Sequence, residues 1–209
     1  MPERLESPEK GTYPAYGIWL YKNNSSAIKS LNKQLNPSAH GDRLWDSAYL
    51  LMDYFTQHPL KKKLNILDIG CGWGPASIFM AKQSHKVTAV DIDNQVFEYL
   101  QLQADLNQVD IKTLQSNMDK LTKKELSKHD IIIGADICFW PKLTKSWLAL
   151  LKRAQKAGVK KLVLADPGRT TFLKLVEECE KHWKCEMKTW YALEPKKFEG
   201  SLLIVDLKS

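Results

Sequence analysis

Two aspartates and three glycines carry the strongest chemical signal in this chain: Asp68, Gly70, Gly72, Gly74 and Asp91. The stretch Ile66-Leu-Asp-Ile-Gly-Cys-Gly-Trp-Gly74 runs from an apolar strand into alternating glycines, and Pro75 then opens a helical pattern. Glycine at 70 and 72 lets the backbone turn with positive φ and approach a ligand closely. The helix that leaves such a turn presents free N–H groups. Asp91 ends the next strand about twenty residues on, where a carboxylate can accept both hydroxyls of a ribose.

This arrangement can serve two cofactor classes. A dinucleotide fold wants its third glycine one place later, where this chain has Pro75, and it sets a pyrophosphate on the helix. Asp68, before the first glycine, would repel phosphate but suits an α-ammonium group. S-adenosylmethionine carries an ammonium and a ribose and no phosphate. The residues therefore point to that molecule. A dehydrogenase is the outside alternative, marked by nicotinamide binding without S-adenosylmethionine binding. A turn with no ligand is the bland one.

Further candidates stand where strands end. Asp136, in Gly134-Ala-Asp-Ile-Cys-Phe-Trp-Pro141, follows the fourth strand and is the best candidate to orient an acceptor amine or take its proton. It would otherwise cap a helix or bond a loop. Phe139 and Trp140 either shape an acceptor slot or belong to the core. Asp166 and Arg169, in Asp166-Pro-Gly-Arg169, fall at the rim of the same crevice, with a turn as the competing role. Cys138 lies in the right place for a nucleophile, but nothing beside it is built to lower a thiol pKa. None of Cys71, Cys138, Cys179 and Cys185 has metal-site spacing, so no metal is expected.

The positioning elements follow from hydrophobic period. Strands are expected over 63–68, 86–90, 111–114, 130–133 and 161–164, with helices over 75–83, 95–107, 142–155 and 170–180. Two final strands, 184–191 and 201–207, flank Pro195 and Gly200 with no room for a helix, so they should form an antiparallel hairpin. The result is an α/β, Rossmann-like fold: a mostly parallel sheet with helices on both faces, closed by an antiparallel C-terminal hairpin. Upstream, 25–35 reads as a short helix capped by Asn24 or Ser25. The run Gly41–Phe55 reads as an amphipathic helix with Asp42 as cap. Residues 1–18, with Pro2, Pro8, Gly11 and Pro14 close together, read as extended or loosely ordered. The chain divides into a partly irregular extension, 1–40, and a catalytic domain, 41–209.

Length and composition set the outer bounds. At 209 residues with 44% apolar and 26% charged residues, the chain can bury a core without disulfide or metal staples. No apolar run reaches the ~18 residues a membrane span needs, and the first residues lack a signal-peptide pattern, so a cytoplasmic protein with reduced thiols is expected. The net charge is +7. Residues 1–60 are balanced, six basic against six acidic, so the excess lies beyond them, much of it in lysine pairs. Those lysines either solvate a surface or present a basic face to RNA or an acidic protein.

LDIGCGWG (67–74) resembles the first motif of class I, seven-β-strand S-adenosylmethionine-dependent methyltransferases, and AVDID (89–93) resembles their second. The likeness covers about residues 61–209 and implies a seven-stranded sheet whose last strand is inserted antiparallel. It implies cofactor contacts from Asp68, Gly70, Cys71, Gly72, Gly74, Asp91 and Ile92. By the same analogy Asn117 bonds the adenine, Met118 packs on it, and Asp136 also touches the cofactor; the competing reading of this segment is that Asp119 only caps a short helix. Trp45 and the pattern Asp136-Ile-Cys-Phe139 are similar to the protein lysine methyltransferase branch, in which that tryptophan lies close to the cofactor. Asp166-Pro-Gly-Arg169 is similar to the part of the branch that includes the electron-transfer-flavoprotein β-subunit lysine methyltransferase. Tyr13–Trp19 has no counterpart in the pattern. The resemblance implies transfer of a methyl group to a protein lysine, leaving S-adenosylhomocysteine. A small metabolite or RNA as acceptor, and a non-catalytic binding module, are the alternatives. Oligomeric state is open.

Overall fold

The computed structural model describes residues 7–38 and 40–208. Two short strands, β1 (Thr12–Ala15) and β2 (Ile18–Tyr21), pair antiparallel and lead to α1 (Ser26–Asn32) and α2 (Ser47–Gln57). The Rossmann-like body follows: β3 (Asn65–Ile69), α3 (Pro75–Lys82), β4 (Lys86–Asp91), α4 (Val96–Asn107), β5 (Lys112–Gln115), a single 3₁₀ turn (Met118–Lys120), α5 (Lys123–Leu126), β6 (Ile131–Ala135), α6 (Pro141–Ala157), β7 (Lys161–Asp166) and α7 (Thr170–Glu180). Strands β8 (Lys184–Ala192) and β9 (Phe198–Asp206) close the sheet.

The sheet order is β5-β4-β3-β6-β7-β9-β8. The five strands β3 to β7 pair parallel, and β9 inserts antiparallel between β7 and β8. Alternation along β6 shows how both faces fill: Ile131 and Ile133 enter one core, Ile132 the other. The first core packs α2 and α3 against the sheet, and the second packs α6 and α7. Strand order reverses between β3 and β6, which opens a crevice at the carboxyl ends of the strands.

The N-terminal part departs from the sequence expectation in two ways. Residues 12–21 form a hairpin with Ala15, Ile18 and Leu20 fully buried. Its backbone is satisfied by side chains of α4: Trp19 N–H donates to Asn107 Oδ1 (2.8 Å), and Tyr21 N–H donates to Gln103 Oε1 (2.9 Å). That exchange of a backbone partner for a side-chain amide escapes any reading of local pattern. The helix expected over 41–55 begins only at Ser47, so Asp42 caps nothing and Trp45 sits in the loop before it. Two indoles fix this loop: Trp73 Nε1 donates to Gly41 O and Trp45 Nε1 to His40 O, both 2.9 Å.

Candidate active site

Four carboxylates stand at the carboxyl ends of four adjacent strands: Asp91 on β4, Asp68 on β3, Asp136 just past β6, and Asp166 on β7. Asp91 and Asp136 line a cleft of about 220 Å³ whose walls also include Trp45, Gly70, Gly72, Ile92, Asn117, Met118 and Phe139. The sheet's reversal puts the glycine turn, the Asp91 loop and the Asp136 loop around one space.

The glycine turn is built as its residue types require. Gly70, Gly72 and Gly74 all have positive φ. A Cβ on Gly70 would lie 2.4 Å from Ile137 Cγ2, so only glycine lets the two loops meet. A Cβ on Gly72 would meet nothing within 4 Å, leaving backbone open to the cleft. Asp91 locks the turn: its Oδ2 accepts from Gly72 N–H and its Oδ1 from Asp93 N–H, each at 3.0 Å. Burial raises the Asp91 carboxyl, against these backbone donors.

Asp68 is fully buried and accepts a hydrogen bond from Ser77 Oγ at 2.6 Å. Burial pushes its pKa up to about 7, opposed by Ser77 and reinforced by Asp91. It lines a separate void of about 30 Å³, beside the main cleft and walled by Leu44, Trp45, Cys71 and Gly72. Gly70, Gly72 and Trp45 border both spaces, while Cys71 borders only the smaller and Gly74 neither. Gly74 serves α3, packing where a Cβ would lie 2.7 Å from Leu100.

Asn117 and Met118 line the cleft, and Asn117 Oδ1 accepts from Asp119 N–H as the cap of the 3₁₀ turn. Asp119 caps no helix; it accepts from Ser146 Oγ of α6 at 2.9 Å. Ile92 is 64% exposed at the cleft wall, a large apolar side chain mostly open to solvent.

Asp136 is nearly buried, sits at φ +59°, and has both oxygens committed. Oδ1 lies 2.9 Å from Arg169 Nη1, and Oδ2 accepts from Ser47 N–H, at the start of α2, at 2.9 Å. Arg169 Nη1 also reaches Asp166 Oδ2 at 2.7 Å, while Asp166 Oδ1 accepts from the N–H groups of Gly168 and Arg169. Two buried carboxylates thus share one guanidinium. The guanidinium lies 4.4 Å from the Phe139 ring centroid. Phe139 stacks on His40 (4.6 Å, 10°) and meets Trp45 edge-on at 5.3 Å. Trp140 is 60% exposed beside them.

Sequence reading missed His40, Ser38 and Leu143 as cleft residues. His40 and Ser38 lie in a loop without periodicity, so no local signal marks them. Cys138 is buried, and burial raises its thiol well above the ordinary range, so nothing in its setting makes a nucleophile. Among the described residues no group of three or more His, Cys, Asp or Glu side chains could hold a metal ion.

Comparison with known proteins agrees with this geometry. Residues 66–158 match a family model described as a methyltransferase domain. The electron transfer flavoprotein beta subunit lysine methyltransferase of Xenopus laevis is 28% identical over 61% of this chain and 52% of its own length. The ubiquinone biosynthesis O-methyltransferase of Rickettsia akari is 36% identical over 36% of this chain and 29% of its own. The chain thus spans about half, or less, of these relatives. Among solved structures, the human methyltransferase 10 domain containing protein aligns with TM-score 0.61 at 13% identity, covering 79% of this chain and 86% of that one. The magnesium protoporphyrin IX methyltransferase of Synechocystis PCC 6803, solved with bound SAM, aligns at TM-score 0.58 and 15% identity over 89% and 93%. At such identities these likenesses speak for the fold, and the family model speaks for the sequence. Over residues 66–158 the chain thus resembles the methyltransferase-domain family, and the fold around that stretch is shared with the solved S-adenosylmethionine-dependent methyltransferases.

Proposed function

We propose that the chain binds S-adenosylmethionine and transfers its methyl group to the side-chain nitrogen of a protein lysine. The observation that carries the acceptor class is the pairing of Asp136 and Asp166 with a single arginine. With both carboxylates ionised, Asp136, Asp166 and Arg169 sum to one negative charge beside the Phe139 ring, which stacks on His40 and meets Trp45; Arg43, paired with Asp42, lies over Trp45. Such a site suits an ammonium group, drawn by charge and by aromatic faces. The Xenopus relative, whose name gives a lysine methyltransferase, points the same way.

The residues present fit the cofactor. Asp91 stands on the cleft wall for ribose hydroxyls, open backbone at Gly72 allows close approach, and the bare Ile92 and Met118 offer apolar cover for a flat base. Asp68 would meet the α-ammonium, with Trp45 over both spaces. When bound, S-adenosylmethionine supplies an electrophilic methyl group on its sulfonium. The chain's own part is alignment: the glycine turn and Asp91 fix one partner, and the Asp136 loop fixes the other.

Asp136, fixed between Arg169 and Ser47 N–H, keeps a further lone pair on each oxygen with which to orient the amine. A lysine ammonium must lose its proton before transfer, so the rate should climb with pH until the amine is neutral. A second reading, O-methylation of a small molecule, is favoured by the rickettsial relative. It would give turnover without protein and little pH dependence of this kind.

The test is calorimetric titration with S-adenosylhomocysteine, with Asp91→Ala as control, followed by labelled-methyl transfer to lysate proteins. Binding lost in the variant and label on lysine support the reading. Label appearing only on small molecules or RNA would replace the acceptor, and no binding by folded protein would remove the cofactor.

A further inference from the structure

Helix α6 carries Lys142, Lys145, Lys152 and Lys156 along one stripe, all exposed, opposite the buried Trp147, Leu151 and Ala154. It has no acidic residue. The neighbouring α5 and its approach add Lys120, Lys123, Lys124 and Lys128, also exposed. Residues 118–161 hold eleven lysines and arginines against four acids, an excess of seven that equals the net charge of the whole chain. The rest of the protein is therefore neutral in sum.

Most acids near this face are engaged: Asp119 accepts from Ser146, Glu125 closes the capping box with Thr122, Asp130 pairs with Lys160, and Asp136 faces the cleft. Helix α7, packed beside α6, brings Glu177, Glu178 and Glu180, of which Glu178 pairs with Lys181 and is also drawn to Lys152. Among the described residues the α6 lysines and Lys120, Lys123, Lys124 and Lys128 make no ion pair. Eight like charges held this close are unfavourable for the isolated protein, which makes the cluster informative. The face also adjoins the cleft: α6 begins beside it, and Leu143 and Met118 are cleft walls.

We propose that the α5–α6 face docks an acidic segment of the protein acceptor, so that the methylated lysine comes from a negatively charged stretch. The idea rests on the reading of a protein acceptor above. The charges are complementary twice over: an acidic partner meets the lysine face while its one lysine enters the anionic cleft. Nucleic acid fits less well. The α6 stripe is made only of lysines, which act as point charges, and the single arginine of α6, Arg153, is bound to the carbonyls of Met118 and Leu121. The stripe interleaves no aromatic ring on which bases could stack, Trp140 standing at the cleft mouth.

The experiment measures binding of fluorescent poly-L-glutamate and of poly-uridylate to the full chain saturated with S-adenosylhomocysteine, at low and moderate salt. Wild-type protein should bind poly-glutamate, with affinity falling as salt rises. Replacing Lys142, Lys145, Lys152 and Lys156 by Gln should weaken that binding at least tenfold and leave S-adenosylhomocysteine affinity within twofold. Removing four equally exposed lysines elsewhere, Lys29, Lys33, Lys61 and Lys62, should change it less than threefold. The proposal falls if poly-glutamate does not bind, if the control set costs as much, or if poly-uridylate binds more tightly through the α6 lysines. None of these results bears on lysine labelling in lysate, so loss of this surface and loss of the acceptor reading are separable.

Discussion

Arg169 and Asp136 are 33 positions apart in sequence, and their side chains meet at 2.9 Å while the same Nη1 holds Asp166 at 2.7 Å. Through Asp136 Oδ2 the tie reaches Ser47, and so joins the loops after β6 and β7 to the start of α2. Arg169→Ala leaves two buried carboxylates without their cation. A loss of about 3 kcal/mol is expected, since breaking a buried pair strands a charge. Urea unfolding should show it as a lower midpoint with an unchanged slope. Arg169 is not a wall of the cleft, so S-adenosylhomocysteine affinity should stay within threefold while methyl transfer falls tenfold or more. A variant that binds and transfers normally would show the tie to be dispensable.

Gly70 and Gly72 separate stability from binding. Gly70→Ala combines φ +66° with a Cβ 2.4 Å from Ile137, so strain and overpacking together should cost roughly 2–4 kcal/mol. Gly72→Ala meets only the strain of φ +51°, roughly 1–2 kcal/mol. Its new methyl group would stand at the cleft, so S-adenosylhomocysteine should bind at least tenfold more weakly. Thermal melting and calorimetry on both variants check the contrast. Equal effects on binding at equal stability would contradict it.

The β1–β2 turn is fastened to the far end of the fold. Tyr16 Oη donates to Asp53 Oδ2 at 2.9 Å and accepts from Leu193 N–H (2.7 Å) and Glu194 N–H (3.2 Å). Tyr16→Phe removes these bonds, while Asp53 keeps Gln57 and Trp190 as donors. A cost of about 1–2 kcal/mol in unfolding is expected, with cofactor-analogue affinity unchanged. A large loss of affinity instead would make the hairpin a lid over the site.

Strands, their order and the glycine turn were legible because period, glycine spacing and strand-end aspartates are local signals. LDIGCGWG and the final hairpin placed the sheet and its reversed strand, and 170–180 was read to the residue. What stayed hidden rests on partners distant in sequence. The β1–β2 hairpin is apolar enough to be read, TYPA and IWLY about Tyr16-Gly17, but its strands are four residues each, Pro14 interrupts the first, and its docking depends on Asn107 and Gln103 of α4. The loop holding Trp45 has helical spacing but is pulled out of helix by its indole bond to His40. Asp136 was rightly placed at a strand end, yet its commitment to Arg169 and Ser47 could not be seen from spacing.

Asp68 gives a pH signature that tests its assignment. Burial raises its folded pKa to about 7, well above the ordinary carboxylate range. The group's folded pKa lies above its unfolded one, so the stability it contributes is full below about pH 4 and is lost as pH rises through about 7. Protein without cofactor should therefore gain stability from this group as pH falls from 8 to 5, and Asp68→Asn should flatten that gain. Binding runs the other way. An ammonium group needs the ionised carboxylate, so S-adenosylhomocysteine affinity should rise with pH up to about 7, by at most tenfold per unit, and then level off. In Asp68→Asn the affinity should be lower and its slope through this range gone. Calorimetry from pH 5.5 to 8.5 on both proteins decides it. A wild-type slope that persists in the variant would move the titrating group elsewhere and leave Asp68 as a bond to Ser77 alone.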